Sequence, residues 1–326
     1  MSEIKINLRL FAVSYNATTE AGLSPENKTF YEKVLLKSTT PNLVHNQFGQ
    51  KRSIPKRGGK EIEWRKFSSL DKATEPLTEG VTPAGKKYTV TAVTAKVNQY
   101  GDYVGITDIL DLTAIDNNVL EVTKMLGDQA GLTLDTITRN ELAGGTNVIY
   151  ANEVDSRSKL TADAKLTVDV VYQAVNVLKR MNVPKINGDY ICILHPDVGT
   201  DLQLSEGWIE AHKYASPEEI YNGEIGKIAG CRFVESSESI IWTGEGCPEG
   251  LAVYGCIFLG QDAYGVVDLE GGGLEHIVKP LGSGEDPLNQ RSTIGWKATA
   301  VAKRLAEERM VRVECCSSYS AKAEAN

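Results

Sequence analysis

From Lys60 to Phe67 apolar and charged residues interleave. Ile62 and Trp64 fall on one face with Lys66, while Glu61, Glu63, Arg65 and Phe67 fall on the other. The pattern predicts a strand with two wet faces. A second strand follows at 87–97, rich in Thr, Val and Tyr, which suit a pleated surface, but again without a clean buried side. The connection 68–86 holds Pro76, Gly80, Pro83, Gly85 and several charges, so it is a wide tip and not a tight hairpin turn. An isolated two-stranded ribbon is marginal in water. This one needs a partner, either another part of its own surface or another copy of the chain.

Helical periods flank the ribbon. Residues 1–23 read as an extended arm, and a helix opens at Ser24 and Pro25, carries Phe30, Tyr31, Val34 and Leu35, and stops at Pro41. A longer helical pattern runs over 108–142. Its apolar side is marked by Val119, Val122, Met125, Leu126, Leu132 and Leu134, with Gly127 and Gly131 as weak points and Gly144-Gly145 as the stop. Unbroken, it spans roughly 40 to 50 Å at 1.5 Å per residue. Thr167 caps a further helix through a Leu166/Val171 staple, and Val170, Ala174, Val175, Val177 and Leu178 follow.

The pattern turns to mixed α/β from Asp189. Residues 190–194 form a short apolar run that suits a buried strand, and Asp197 is placed to cap a short helix bearing Leu202 and Leu204. Ser216-Pro217-Glu218-Glu219 is a capping box. Strands are expected at 251–259, 263–267, 294–303 and 310–315. In the last, Val311, Val313 and Cys315 face inward, and Arg312 and Glu314 outward.

Composition bounds the function. A chain of 326 residues makes one large domain or two, and 41% hydrophobic with 24% charged residues is ordinary globular chemistry. Net charge of -8 argues against a protein whose main surface grips nucleic acid. No apolar run is long enough to span a bilayer and no secretory signal is legible, so the chain is expected to stay where it is made. Its six cysteines show neither a CxxC pair nor a disulfide framework. The basic run Lys51, Arg52, Lys56, Arg57 and Lys60 fits an acidic subunit surface better than phosphate, given the acidic whole.

No catalytic constellation is legible. The zincin, α/β-hydrolase and P-loop signatures are absent, and the histidines at 45, 195, 212 and 276 lie far apart in sequence. His195 at a strand end is the most enzyme-like, although a structural turn histidine is the plainer reading, and Cys231 with a histidine is a weak dyad. No enzyme activity, cofactor or metal is expected.

Two segments, 222–236 (NGEIGKIAGCRFVES) and 286–297 (DPLNQRSTIGWK), resemble stretches typical of tailed-phage major capsid proteins, in the branch typified by phage N-four. The order of elements resembles that family too. The resemblance implies an α+β Hong Kong 97-type fold with N-terminal arm and short helix at 1–50, an extended loop at 51–106, a peripheral domain with a spine helix at 107–166 and 281–326, and an axial domain at 167–280. It implies a non-enzymatic subunit that assembles with copies of itself, through hexamers and pentamers, into an icosahedral phage head around double-stranded DNA. Portal and scaffold or decoration proteins would be partners, DNA would be touched only non-specifically, and no membrane is involved. Assembly would take place in the host cytoplasm and the product would be the virion capsid. Expected inter-subunit contacts are Lys51, Arg52, Lys56, Arg57, Lys60, Trp64 and Tyr88. The alternatives are the shell of a cellular encapsulin-type nanocompartment and a Cys/His hydrolase.

Overall fold

The computed structural model describes residues 35, 43–55, 57–68, 70–77, 79–82, 85–113, 118–205, 208, 226–269, 273–282 and 288–326. Leu35 is helical and buried, while the rest of the helix expected from Ser24, the capping box at 216–219, Lys56 and His212 lie outside the described residues. The strands in chain order are β1 (Gln50–Ile54), β2 (Glu61–Phe67), β3 (Val90–Lys96), β4 (Asn98–Thr107), β5 (Val148–Tyr150), β6 (Tyr190–Leu194) and β7 (Lys227–Ile228). They continue with β8 (Cys231–Glu235), β9 (Ile241–Trp242), β10 (Val253–Leu259), β11 (Tyr264–Leu269), β12 (Glu275–Lys279), β13 (Arg291–Arg304) and β14 (Met310–Cys315). The helices are α1 (Asp108–Thr113), α2 (Asn118–Ala143), α3 (Val168–Arg180) and α4 (Pro196–Gln203). These α+β elements fall into two compact units, and β4, α2 and β13 contribute residues to both.

The larger unit holds Gly131–Gly273, Thr299–Asn326 and the ribbon. It is built on a seven-stranded mixed sheet ordered β5-β14-β10-β6-β8-β7, with β9 also paired to β10. Every residue of β6, β10 and β14 is buried, as expected of strands covered on both faces. Side chains alternate between two cores. Tyr190, Cys192, Leu194, Cys256, Phe258, Val311 and Val313 meet Val171, Ala174, Val175 and Leu178 of α3 on one face. Ile191, Ile193, Ile257, Leu259 and Met310 meet Leu142 of α2 and Tyr264 on the other. Through β5 and β14 this sheet takes in chain from both sides of the 190–259 segment.

Three sequence expectations need correction here. Arg312 and Glu314 alternate with the apolar residues of β14, but they do not face water: Arg312 is 9% exposed and Glu314 fully buried. Glu314 accepts two bonds from Arg157, at 2.7 and 2.8 Å, and one from Arg312 Nε at 2.8 Å. Arg312 Nη1 also donates to the carbonyls of Ala143 and Gly145 at the end of α2, so its charge meets the negative pole of that helix. Second, α4 is capped not by Asp197 but by His195, whose Nδ1 accepts the Asp197 N–H at 3.2 Å, with Pro196 opening the helix. Asp197 instead accepts from the Tyr254 hydroxyl at 2.7 Å. The cap expected for α3 is present, with Thr167 Oγ1 accepting from Val170 N–H.

The third correction concerns the long helix. It is described in two parts, α1 and α2, with 114–117 outside the described residues, and α2 alone is about 39 Å long at 1.5 Å per residue. Met125 and Leu132, read as core, are exposed. The buried positions in the half within the larger unit are Gly131, Asp135, Thr138, Arg139, Leu142 and Ala143. Small and polar side chains line this face because partners elsewhere in the chain satisfy them, which apolar periodicity alone does not reveal.

The smaller unit contains Gly101–Ala130 and Leu274–Ala298. Here β12 runs antiparallel to Thr293–Lys297 of β13, and β4 also pairs with β13. Trp296 donates its indole N–H to Gln129 Oε1 at 3.0 Å, and Gln129 in turn donates to Asp102 at 2.7 Å. The bonds from Gln129 and the Tyr103 N–H hold the Asp102 carboxyl below its usual range. A Cβ on Gly101 would lie 2.5 Å from the Trp296 carbonyl oxygen, so glycine permits the close approach of β4 to β13.

Candidate subunit interface

The two strands of the ribbon pair antiparallel in the register Glu61↔Lys96, Trp64↔Val93 and Phe67↔Val90, and they form a sheet of their own. The alternation that predicted two wet faces is correct for spacing and incomplete for burial. Trp64 is 4% exposed and packs with Ile54, Ala95, Val97 and Val267, with Ile62 at the margin. A Cβ on Gly265 would stand 2.6 Å from the Trp64 ring. Gly265 is therefore the seat of the indole, and a tryptophan in a polar strand marks an anchor. Lys66 adds an ion pair with Glu308. Partial burial acts upward on the Glu308 carboxyl, but the Lys66 hydrogen bond and the charges of Lys66 and Arg309 bring it below its usual range.

Past the anchor the ribbon loses cover. Phe67, Leu70, Leu77, Val81 and Tyr88 are each about 60 to 80% exposed. Phe67 and Tyr88 pair across the strands with ring centroids 6.0 Å apart. Ser68 and Thr89 zip the end through a backbone bond of 3.0 Å and a hydroxyl contact of 2.7 Å. Among the described residues of 68–86 there is no strand or helix, in keeping with a wide tip.

The expected contact residues separate into groups. Lys51 and Arg52 are exposed on β1, which pairs in parallel with β11 and so belongs to a sheet edge and not to the ribbon. Arg57 and Lys60 are exposed at the ribbon base, Arg57 with a φ of 67° beside the turn closed by Gly58 N–H to the Pro55 carbonyl. Tyr88 is exposed near the tip, whereas Trp64 is covered by its own chain and is no exposed contact.

Sequence reading missed a buried knot at His45, just before β1 in the chain. His45 and Asp135 are both fully buried; the His45 N–H and Nδ1 meet the two Asp135 carboxylate oxygens at 2.7 and 2.6 Å. The Tyr264 hydroxyl donates to the His45 carbonyl, and burial pushes the Tyr264 phenol up. The knot fixes the segment leading into the ribbon onto α2. The one available signal was an aspartate at core spacing on that helix. Among the described residues no group of histidine, cysteine or carboxylate side chains is arranged to hold a metal, and no helix is long and apolar enough to cross a membrane.

A sequence profile of the family described as "Phage capsid protein" matches residues 90–311, from β3 through the start of β14. The chain belongs to that family. Among curated proteins none matches it. The capsid protein shares its fold with solved phage heads despite low identity. The capsid of Ralstonia phage GP4 superposes with a TM-score of 0.68 at 15% identity, covering 84% of this chain and 88% of that one. The cyanophage Pam1 capsid gives 0.63 at 14%, covering 98% and 100%, and the cyanophage P-SCSP1u capsid 0.64 at 15%, covering 83% and 87%. The fold is the Hong Kong 97 type expected from the sequence. These matches do not assign the capsid protein to the phage N-four branch.

Proposed function

We propose that this capsid protein is the major head subunit of a tailed phage, assembling with copies of itself through hexamers and pentamers into an icosahedral shell around double-stranded DNA. The observation that carries the reading is the ribbon: Trp64 and Lys66 fasten its base, while Phe67, Leu70, Leu77 and Tyr88 beyond it are bare. Apolar side chains in a row on a two-stranded arm lose their exposure only against another surface. A neighbouring subunit supplies one, with Arg57, Lys60 and Tyr88 among the contacts.

In this reading β2, β3 and their tip form the extended loop, α2 is the spine, and the sheet around β6, β8 and β10 is axial. The protein's work is assembly and not catalysis; portal and scaffold or decoration proteins join it in the host cytoplasm. Deleting 68–86 tests this. The variant is expected to keep the circular dichroism of the full chain and to lose shells in electron micrographs. Normal shells from the variant, or a full-length chain that stays monomeric under all assembly conditions, would reject the proposal. Terminase and portal genes beside its own distinguish a phage head from a cellular shell.

A further inference from the structure

The basic run at 51–60 holds five Lys and Arg and no acid, and it ends at the foot of the ribbon. Whether such charges find carboxylates separates the hollows of the larger unit. In the groove of about 610 Å³ beside the ribbon, Lys66 pairs with Glu308, Arg309 with Asp262 and Arg65 with Glu63, which leaves Arg52. The hollow of about 510 Å³ between the loop after β9 and the C-terminal turn has one charged lining residue, Glu249. A third, of about 310 Å³, is lined by Lys60 and Lys96 with the neutral side chains of Asn98, Gln99 and Thr299, and by no acid. Neither lysine side chain has a partner among the described residues. Glu61 stands opposite Lys96 in the ribbon register, yet no ion pair joins them.

The backbone holds these groups together. The Val97 N–H donates to the Lys60 carbonyl at 2.9 Å, so both lysines are kept at one end of the ribbon, where β3 passes into β4. Val97 also lines the hollow, and it is buried in the cluster that contains Trp64 and Ile54. Gly59, with a φ of 92°, leads the chain out of the turn closed by Gly58. The N–H groups of Gly59 and Lys60 have no backbone acceptor among the described residues. Two ammonium groups, side-chain amides, a hydroxyl and two backbone N–H groups therefore belong to the lining of one hollow that carries no negative charge.

We infer that this hollow binds a small oxyanion of the phosphate class. An acidic protein surface suits the basic run as a whole, but the setting of its last residue, Lys60, differs. Lysine engages phosphate as a point charge with rotatable donors and lacks the planar fork with which arginine grips a carboxylate. The anion ties Lys60, just before β2, to Lys96 at the end of β3 and to the amides that open β4. It thereby secures the foot of the ribbon beside the Trp64 seat. The inference goes beyond the capsid reading and does not depend on it.

The test titrates inorganic phosphate, and separately pyrophosphate, into the full-length protein in a chloride buffer of constant ionic strength. Calorimetry reads the binding, and hydrogen-exchange mass spectrometry reads where it acts. Saturable binding is expected, tighter for pyrophosphate, with added protection of the amides at 59–62 and 97–99. Lys60→Gln and Lys96→Gln should each weaken it roughly tenfold or more, the effect of one charge-assisted bond. Both side chains are exposed, so the variants are expected to keep the circular dichroism of the wild type. Lys87→Gln, towards the tip, should bind as the wild type does.

No saturable binding by the wild type, or binding that persists in the Lys60→Gln, Lys96→Gln double variant, would overturn the inference. Displacement of pyrophosphate by an equal concentration of glutarate would make this a carboxylate site and overturn the phosphate assignment. A short duplex that displaces pyrophosphate from the wild type, and is not held by the double variant, would give the same phosphate chemistry a nucleic-acid source. A duplex without effect would leave free phosphate as the ligand. Wild-type shells that form normally with no phosphate bound would sink this inference and leave the capsid reading intact.

Discussion

At the scale of single residues, two side chains hold positions that surface patterning does not suggest. Glu314 lies within the sheet between Arg157 and Arg312, and Arg157 also sits 3.9 Å from the ring centre of Trp242. Removing one charge of such a buried group leaves the others uncompensated. Glu314→Gln is therefore expected to destabilise the larger unit by about 3 to 5 kcal/mol, read from denaturant unfolding. A loss below 1 kcal/mol would mean that water reaches the arginines. Trp64 depends on the absence of a side chain at 265. Gly265→Ala should cost about 1 to 3 kcal/mol through overpacking and speed chymotrypsin cleavage at Phe67 and Tyr88, with far-ultraviolet dichroism unchanged. The sequence placed Glu314 on the correct side of its strand but assigned that side to water, because alternation reports direction and says nothing of what lies beyond. The His45–Asp135 pair was illegible for a related reason: its partners are 90 residues apart.

At the scale of elements, the ribbon's two strands were readable from spacing and composition, since their pairing is local. Its seat was not readable, because Gly265 and Glu308 come from distant sequence. The Lys66–Glu308 pair makes the seat sensitive to acid. A carboxyl whose folded value lies below its unfolded one stabilises the folded form above the unfolded value and loses that contribution as pH falls through the folded one. The protection factors of β2 amides, taken relative to the acid-slowed intrinsic exchange rate, are therefore expected to fall on acidification below the ordinary glutamate value of 4.5. Lys66→Ala should exchange quickly at neutral pH and respond less to acid. Both groups are about two-fifths exposed, so the effect belongs to the modest class of surface pairs. The helices show the converse: α3 was legible to its cap because its core face is uniformly aliphatic, whereas α2 was misread where its buried face is threonine, aspartate and arginine.

At the scale of the whole molecule, a net charge of -8 conceals a basic run at 51–60, leading into the arm, that holds five Lys and Arg and no acid. The full chain is expected to bind duplex DNA more weakly than about 10⁻⁴ M at 0.15 M salt, the weak end of non-specific binding, as measured by fluorescence anisotropy. Tight binding would mean that the arm reaches phosphate freely. The fold class was legible because the buried strands are short apolar runs bounded by turns, and the family's element order connects them. The order of strands in the sheet was not legible, since β14 joins β10 across 50 intervening residues in the chain. One mechanical consequence follows from the tryptophan seat. Anchored at Trp64, the ribbon is a cantilever, and Phe67, three residues out at about 3.3 Å each, stands about 10 Å from the pivot. A tilt of about 10° at the indole then swings Phe67 by about 2 Å and residues nearer the tip by more, leaving both faces of the seven-stranded sheet untouched. One subunit can thus meet neighbours at several angles by bending at a single joint.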